Sequence, residues 1–129
     1  MGDIMKVTEQ SDWANEPGKW SGVWQGGPHG TPITVIFHSS VGAGHGPDLH
    51  THPYPETFII RTGSARFTIG EAKFDAVAGQ ILVCPADVPH GYKNLGPGLL
   101  EAINIHANGT SITTWLPGSV PEQATSTPR

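Results

Sequence analysis

Gly44-His45-Gly46-Pro47-Asp48-Leu49-His50-Thr51-His52-Pro53-Tyr54-Pro55-Glu56 is the segment from which the rest of the chain can be ordered. Side chains alternate along an extended strand, so the His50-Thr51-His52 triplet puts both imidazoles on one face. Glu56 follows four residues after His52, and a second block, Gly79 to Asn94, carries His90 behind the rigid Pro85-Ala86-Asp87-Val88-Pro89 loop. If the two blocks lie on facing strands, three imidazoles and a carboxylate meet in one inward cluster. Neutral imidazole and carboxylate are natural ligands for a borderline divalent metal.

The chain has 129 residues, so a single domain with its own hydrophobic core is expected. Gly 17 and Pro 12, with only 14% charged residues, describe many short strands broken by turns rather than long helices. The net charge of -4 and the absence of basic runs argue against nucleic acid as a partner. No apolar run is long enough to span a bilayer, and the first residues lack the apolar core of a secretion signal. Cys84 is the only cysteine, so no intrachain disulfide can form. A cytoplasmic protein without a membrane or nucleic-acid partner is the expectation.

Strands are predicted from β-branched and aromatic runs between glycine and proline turns. Ile33 to His38, the His50/His52 segment, Glu56 to Arg61, Ala65 to Ile69, Lys73 to Val77, Gln80 to Cys84, His90 to Lys93, Leu99 to His106 and Ser111 to Leu116 all qualify. With an N-terminal strand near Trp20 and Trp24, this makes an all-β barrel or sandwich. The expected division is a barrel domain over 1–116, with its core at 33–116 and an N-terminal arm at 1–32, followed by a polar tail at 117–129. No amphipathic stretch long enough for a helical layer is present.

The two blocks resemble the cupin superfamily, a small single-domain jelly-roll β-barrel. The first motif of that family, G-x5-H-x-H-x3/4-E-x6-G, is filled by Gly44, His50, His52, Glu56 and Gly63. The second, G-x5-P-x-G-x2-H-x3-N, is filled by Gly79, Pro85, His90 and Asn94, with Asp87 replacing the second glycine. Asp tolerates unusual turn conformations better than most residues. The resemblance implies that His50, His52, Glu56 and His90 ligate one divalent transition metal, Fe, Mn, Ni, Zn or Cu. Four protein ligands would saturate tetrahedral zinc, whereas a six-coordinate ion keeps two positions open.

The resemblance also implies a metal-dependent enzyme for a small organic molecule. A dioxygenase acting on a metal-chelating enol, diketone, aromatic or carboxylate substrate is the first reading. A non-redox isomerase, lyase or polyketide cyclase is the second, and a non-catalytic ligand-binding barrel is the third. Glu56 would move the substrate proton. Tyr92, two residues after His90 and hence on the same face, would donate a hydrogen bond or a proton. Ile103 and Ile105 place His106 on the opposite, outward face of its strand. Trp20 and Trp24 are assigned to packing, to the pocket mouth or to the interface of a homodimer. His29 and His45 fall in solvated glycine-rich loops, and Cys84 is expected to be buried and inert.

Overall fold

Short β-branched segments separated by glycine and proline turns pair into antiparallel sheets. The structure, a computed structural model, describes residues 5–119. Among them are one single-turn α-helix, α1 (Gln10–Trp13), one 3-10 turn (Gly27–His29) and ten strands. The strands are β1 (Gly22–Gln25), β2 (Thr34–Val41), β3 (His50–Thr51), β4 (Glu56–Thr62), β5 (Ser64–Ile69), β6 (Ala72–Val77), β7 (Ile81–Cys84), β8 (His90–Asn94), β9 (Leu99–His106) and β10 (Thr114–Trp115). The order in the first sheet is β1-β2-β9-β4-β7, and in the second β10-β3-β8-β5-β6. The expected all-β jelly roll is therefore the observed architecture. Helix α1 was not expected; its capping box, between Glu9 and Asp12, closes a turn too short to have a hydrophobic period.

The inner faces of the two sheets share one core. Phe58, Ile60, Cys84, Leu100 and Ala102 of the first sheet pack with Ala65, Phe67, Ala76 and Tyr92 of the second. Phe67 stacks on Tyr92 and meets Phe58 edge to face, geometries that aromatic rings favour.

The outer face of the first sheet is also apolar. Register places Val35, Ile105, Thr57 and Val83 in one row and Phe37, Ile103, Ile59 and Ile81 in the next. The N-terminal arm covers one end of these rows. Trp13 stacks on Phe37, Trp20 meets both rings edge-on, and the Arg61 guanidinium lies 3.9 Å from the centre of the Trp20 ring. Trp24 stacks instead on His29. The two tryptophans thus pack on the outside of the barrel.

Turn chemistry explains one loop glycine and one motif position. Gly46 has φ +145, and a Cβ there would collide with the Tyr92 carbonyl oxygen, so only glycine lets the loop pass β8 this closely. Asp87, which stands at the second motif's internal glycine, has φ 65, and among the described residues no other non-glycine has a positive φ. No helix among the described residues is long and apolar enough to cross a membrane. Of the polar tail expected at 117–129, residues 120–129 lie outside the described residues.

Candidate metal centre

The candidate ligands all sit at strand ends. His50 opens β3, His52 follows it, Glu56 opens β4 and His90 opens β8. His50 is the direct register partner of His90, and Glu56 is the partner of both His106 and Cys84. Pairing across strands thus gathers at one end of the barrel residues that the sequence keeps far apart. One ligand atom from each of His50, His52, Glu56 and His90 lies within 4.8 Å of every other, and all four residues are buried.

The backbone decides which ring nitrogen faces inward. Carbonyl oxygens can only accept, so a histidine nitrogen hydrogen-bonded to one carries the hydrogen. His50 Nδ1 donates to the Asp48 carbonyl at 2.7 Å, His52 Nδ1 to that of Ile112 at 2.8 Å and His90 Nδ1 to that of Val88 at 3.0 Å. A neutral ring so held presents its Nε2 lone pair to the cluster. His52 Nε2 and His90 Nε2 lie 3.0 and 2.9 Å from the same Glu56 oxygen, Oε1. Lone pairs facing a carboxylate oxygen in a buried place are costly unless a cation sits among them. His52 Nε2 is buried at 3.0 Å from that oxygen yet makes no hydrogen bond of good geometry. The donor set fits a divalent transition ion. Hydrogen bonds from the outer nitrogens to backbone carbonyls are the usual support of metal-ligating imidazoles.

Electrostatics keep the ligands in their binding forms. Burial pushes the His50 ring down to about 3, aided by the neighbouring His90, so it is neutral at pH 7. Burial opposes ionisation of Glu56, but the imidazoles of His106, His52 and His90 around it outweigh that effect and hold the carboxyl well below its ordinary 4.5. Burial raises the Cys84 thiol to about 11, with the Glu56 charge adding to the effect, so Cys84 is protonated and buried as expected.

Tyr92 faces inward, as its spacing from His90 predicted, and its hydroxyl accepts a hydrogen bond from Asn104 Nδ2 at 2.8 Å. His106 corrects the sequence reading. It is buried, and its Nε2 lies 3.0 Å from Glu56 Oε2. Inward positions on β9 are Leu100, Ala102, Asn104 and His106, while Ile103 and Ile105 point to the apolar outer face. Because both faces of this sheet are apolar, the isoleucines could not say which way the strand was turned. Tyr54 was also missed: it is buried, with its hydroxyl 2.7 Å from His106 Nδ1. Trp115 rather than Trp20 or Trp24 lies beside the site, its ring 4.7 Å from that of His50. His29 and His45 are exposed, as expected.

A groove of about 590 Å³ is found elsewhere, among Asp48, Arg66, Lys73, Lys93 and Ser119. None of the clustered histidines lines it.

Comparison with known proteins agrees with this fold. A family model described as a cupin domain matches residues 36–106. No curated protein matches the chain significantly. Among solved structures, an oxalate decarboxylase from Lactobacillus farciminis in complex with formate superposes with a TM-score of 0.69 at 20% identity, over 83% of this chain and 34% of that one. Oxalate decarboxylase from Bacillus subtilis gives 0.65 at 21% identity, over 74% of this chain and 27% of that one. An uncharacterized conserved protein with a double-stranded β-helix domain from Klebsiella pneumoniae gives 0.66 at 17% identity, over 85% and 96%. The chain thus spans about a third of the length of the decarboxylases, and the likeness is one of fold.

Proposed function

We propose, starting from the fact that this chain belongs to the cupin family, that it is a metal-dependent enzyme acting on a small, metal-chelating organic molecule. The observation that carries this reading is the set of three imidazoles held by backbone carbonyls with their Nε2 atoms turned toward Glu56. His50, His52, Glu56 and His90 would hold one divalent transition ion, which would supply Lewis acidity or activate dioxygen.

The chain's own groups then bind and move protons. Phe58, Phe67 and Tyr92 pack against one another beside the ligands as an aromatic wall, which would exclude water and suit an aromatic, enol or diketone skeleton. Glu56, kept ionised, accepts a substrate proton. Tyr92 is the proposed proton donor, its hydroxyl positioned by the Asn104 carboxamide. Dioxygenase chemistry is the preferred subclass, because four protein ligands leave a six-coordinate ion two open positions.

A non-redox lyase, isomerase or cyclase is the second reading. Glu56 favours it, since a buried ionised carboxylate beside a Lewis acid is sufficient for enolate chemistry. Metal analysis of protein purified without added metal, followed by oxygen uptake with diketone, enol, catechol and oxalate substrates, separates the two. Iron, manganese, nickel or copper with substrate-dependent uptake supports the first. Turnover without uptake supports the second, and tight ligand binding without turnover rejects both in favour of a binding barrel.

The proposed partner is a second copy of the chain, docked on the outer face of the first sheet. Trp13 and Trp20 are already packed against Phe37, whereas Ile81 and Val83 at the other end of the apolar rows are 63% and 58% exposed. Light scattering on the wild type and on a Val83→Lys variant tests this; a wild-type monomer rejects it.

A further inference from the structure

We propose that His106 is a hydrogen-bond donor that leaves Glu56 only one oxygen to offer a metal, and that Tyr54 makes it a donor rather than a fifth ligand. This rests on the metal site read above and concerns a pair of residues at none of the fixed positions of the family motifs.

The Tyr54 hydroxyl has a single hydrogen and three hydrogen-bond partners within 3.5 Å, with the Ser111 hydroxyl also interacting with it. The Ile112 N–H donates to it at 2.9 Å, so one lone pair is engaged. Within 3.5 Å two acceptors remain for its hydrogen: His106 Nδ1 at 2.7 Å and the Ile112 carbonyl at 3.4 Å. The first is an ordinary hydrogen-bond length and the second lies beyond the usual range. The hydrogen therefore goes to His106 Nδ1. In a neutral ring the imidazole hydrogen is then on Nε2, where it points at Glu56 Oε2, 3.0 Å away.

Four histidines thus gather in one buried cluster and are sorted by their outer partners. Carbonyl oxygens behind His50, His52 and His90 leave bare Nε2 atoms inside. A phenol behind His106 leaves an Nε2–H inside. The peptide at Ile112 serves both kinds, since its carbonyl accepts from His52 and its amide donates to Tyr54. With Oε2 taken by His106, Glu56 turns only Oε1 toward His52 and His90. A carboxylate so held cannot chelate through both oxygens, which keeps a coordination position for substrate. His106 and Tyr54 are positioning residues in this account.

The test uses the full chain with labelled histidine nitrogens, zinc as the probe, and two-bond proton–nitrogen spectra that report each ring's tautomer. Expected for the wild type are Nδ1–H rings with zinc-shifted Nε2 for His50, His52 and His90, and an Nε2–H ring for His106. Tyr54→Phe should keep one zinc per chain while His106 loses the single Nε2–H signature. His106→Leu should also keep one zinc, bound about 10–100-fold more weakly, the usual effect of removing a group that supports a ligand. Glu56→Gln should remove most of that difference, because the two residues act through one contact. An Nδ1–H or zinc-shifted His106 overturns the proposal, as does loss of stoichiometric zinc in His106→Leu. Should that variant fail to fold, the wild-type and Tyr54→Phe spectra decide. A wild type that takes up no zinc rejects the metal site itself, while its His106 tautomer still confirms or rejects the present inference.

Discussion

Strands β4 and β9 carry two kinds of interior along one inner face. At one end the register pair is Glu56 with His106; two residues on it is Phe58 with Asn104, and then Ile60 with Ala102. All are buried: Glu56 is 3% exposed and Phe58 is 1%. Depth is the same, so depth is not what separates them. The apolar end gains free energy by leaving water, roughly 25 cal/mol for each Å² of apolar surface. The polar end gives up solvation of a carboxylate and several imidazoles, and it recovers this only through hydrogen bonds and a bound cation. One end of the barrel holds the fold and the other spends part of that stability on chemistry.

The largest effect should come from the apolar end. Phe58→Ala removes a ring packed between Phe67 and Tyr92 and is expected to destabilise the chain by about 3–5 kcal/mol, as cavity-forming core substitutions do. Urea denaturation measures it. A loss below about 1 kcal/mol would mean that this end is not what holds the fold.

His52→Ala should reverse the pattern. Its ring is buried with an Nε2 that has no good hydrogen-bond partner, so the metal-free protein should lose far less stability than with Phe58→Ala. Metal affinity should fall at least about 100-fold, beyond the usual effect of removing a supporting group. Calorimetric titration with zinc, beside the same urea experiment, checks both halves.

Acid should act chiefly on the polar end. In the metal-free native protein His50 is held down to about 3, against 6.5 for an ordinary histidine. Below pH 6.5 the unfolded chain therefore takes up a proton that the native state refuses, and stability falls as pH drops toward 3. Glu56, held well below 4.5, contributes stability that is present above that value and lost in the same direction. The melting temperature of the metal-free protein should decline steadily between pH 7 and 4. Phe58→Ala should lower the whole curve without changing its slope, and His50→Leu should flatten it. A pH-independent wild type would refute the account.

The two ends also differed in how far the sequence revealed them. His50, His52, Glu56 and His90 sit at fixed spacings around glycines and prolines whose turn roles are local, and the structure brings all four together. The strand limits were legible for the same reason: β9 spans Leu99–His106, the range its β-branched run predicted. His106 and Tyr54 were not legible. Their importance depends on the pairing of β4 with β9 and on the contacts of Tyr54 with His106 and with the Ile112 backbone, 52 and 58 residues apart along the chain. Alternation could have placed His106 only if one face of the sheet were polar, and Ile59, Ile81, Ile103 and Ile105 make the outer face apolar as well. The clue that was available is that Leu100, Ala102, Asn104 and His106 share one face. Small and polar residues there suit a site better than a packed wall.

Cys84 lies on the border between the two ends and gives the smallest expected effect. It is the register partner of Glu56, yet it belongs to the apolar cluster with Phe58 and Ile60. Its thiol, raised to about 11 by burial and then by the Glu56 charge, stays protonated at neutral pH, and a metal binds the thiolate rather than the thiol. It should therefore behave as a small apolar group. Cys84→Ala should cost roughly 1 kcal/mol, about the value of one buried methylene, and leave zinc affinity unchanged. In the native wild type a thiol reagent should react only as fast as the chain opens. A loss of zinc binding as large as that of His52→Ala would move Cys84 into the polar end, and the boundary drawn between Glu56 and Phe58 would have to be redrawn through β7.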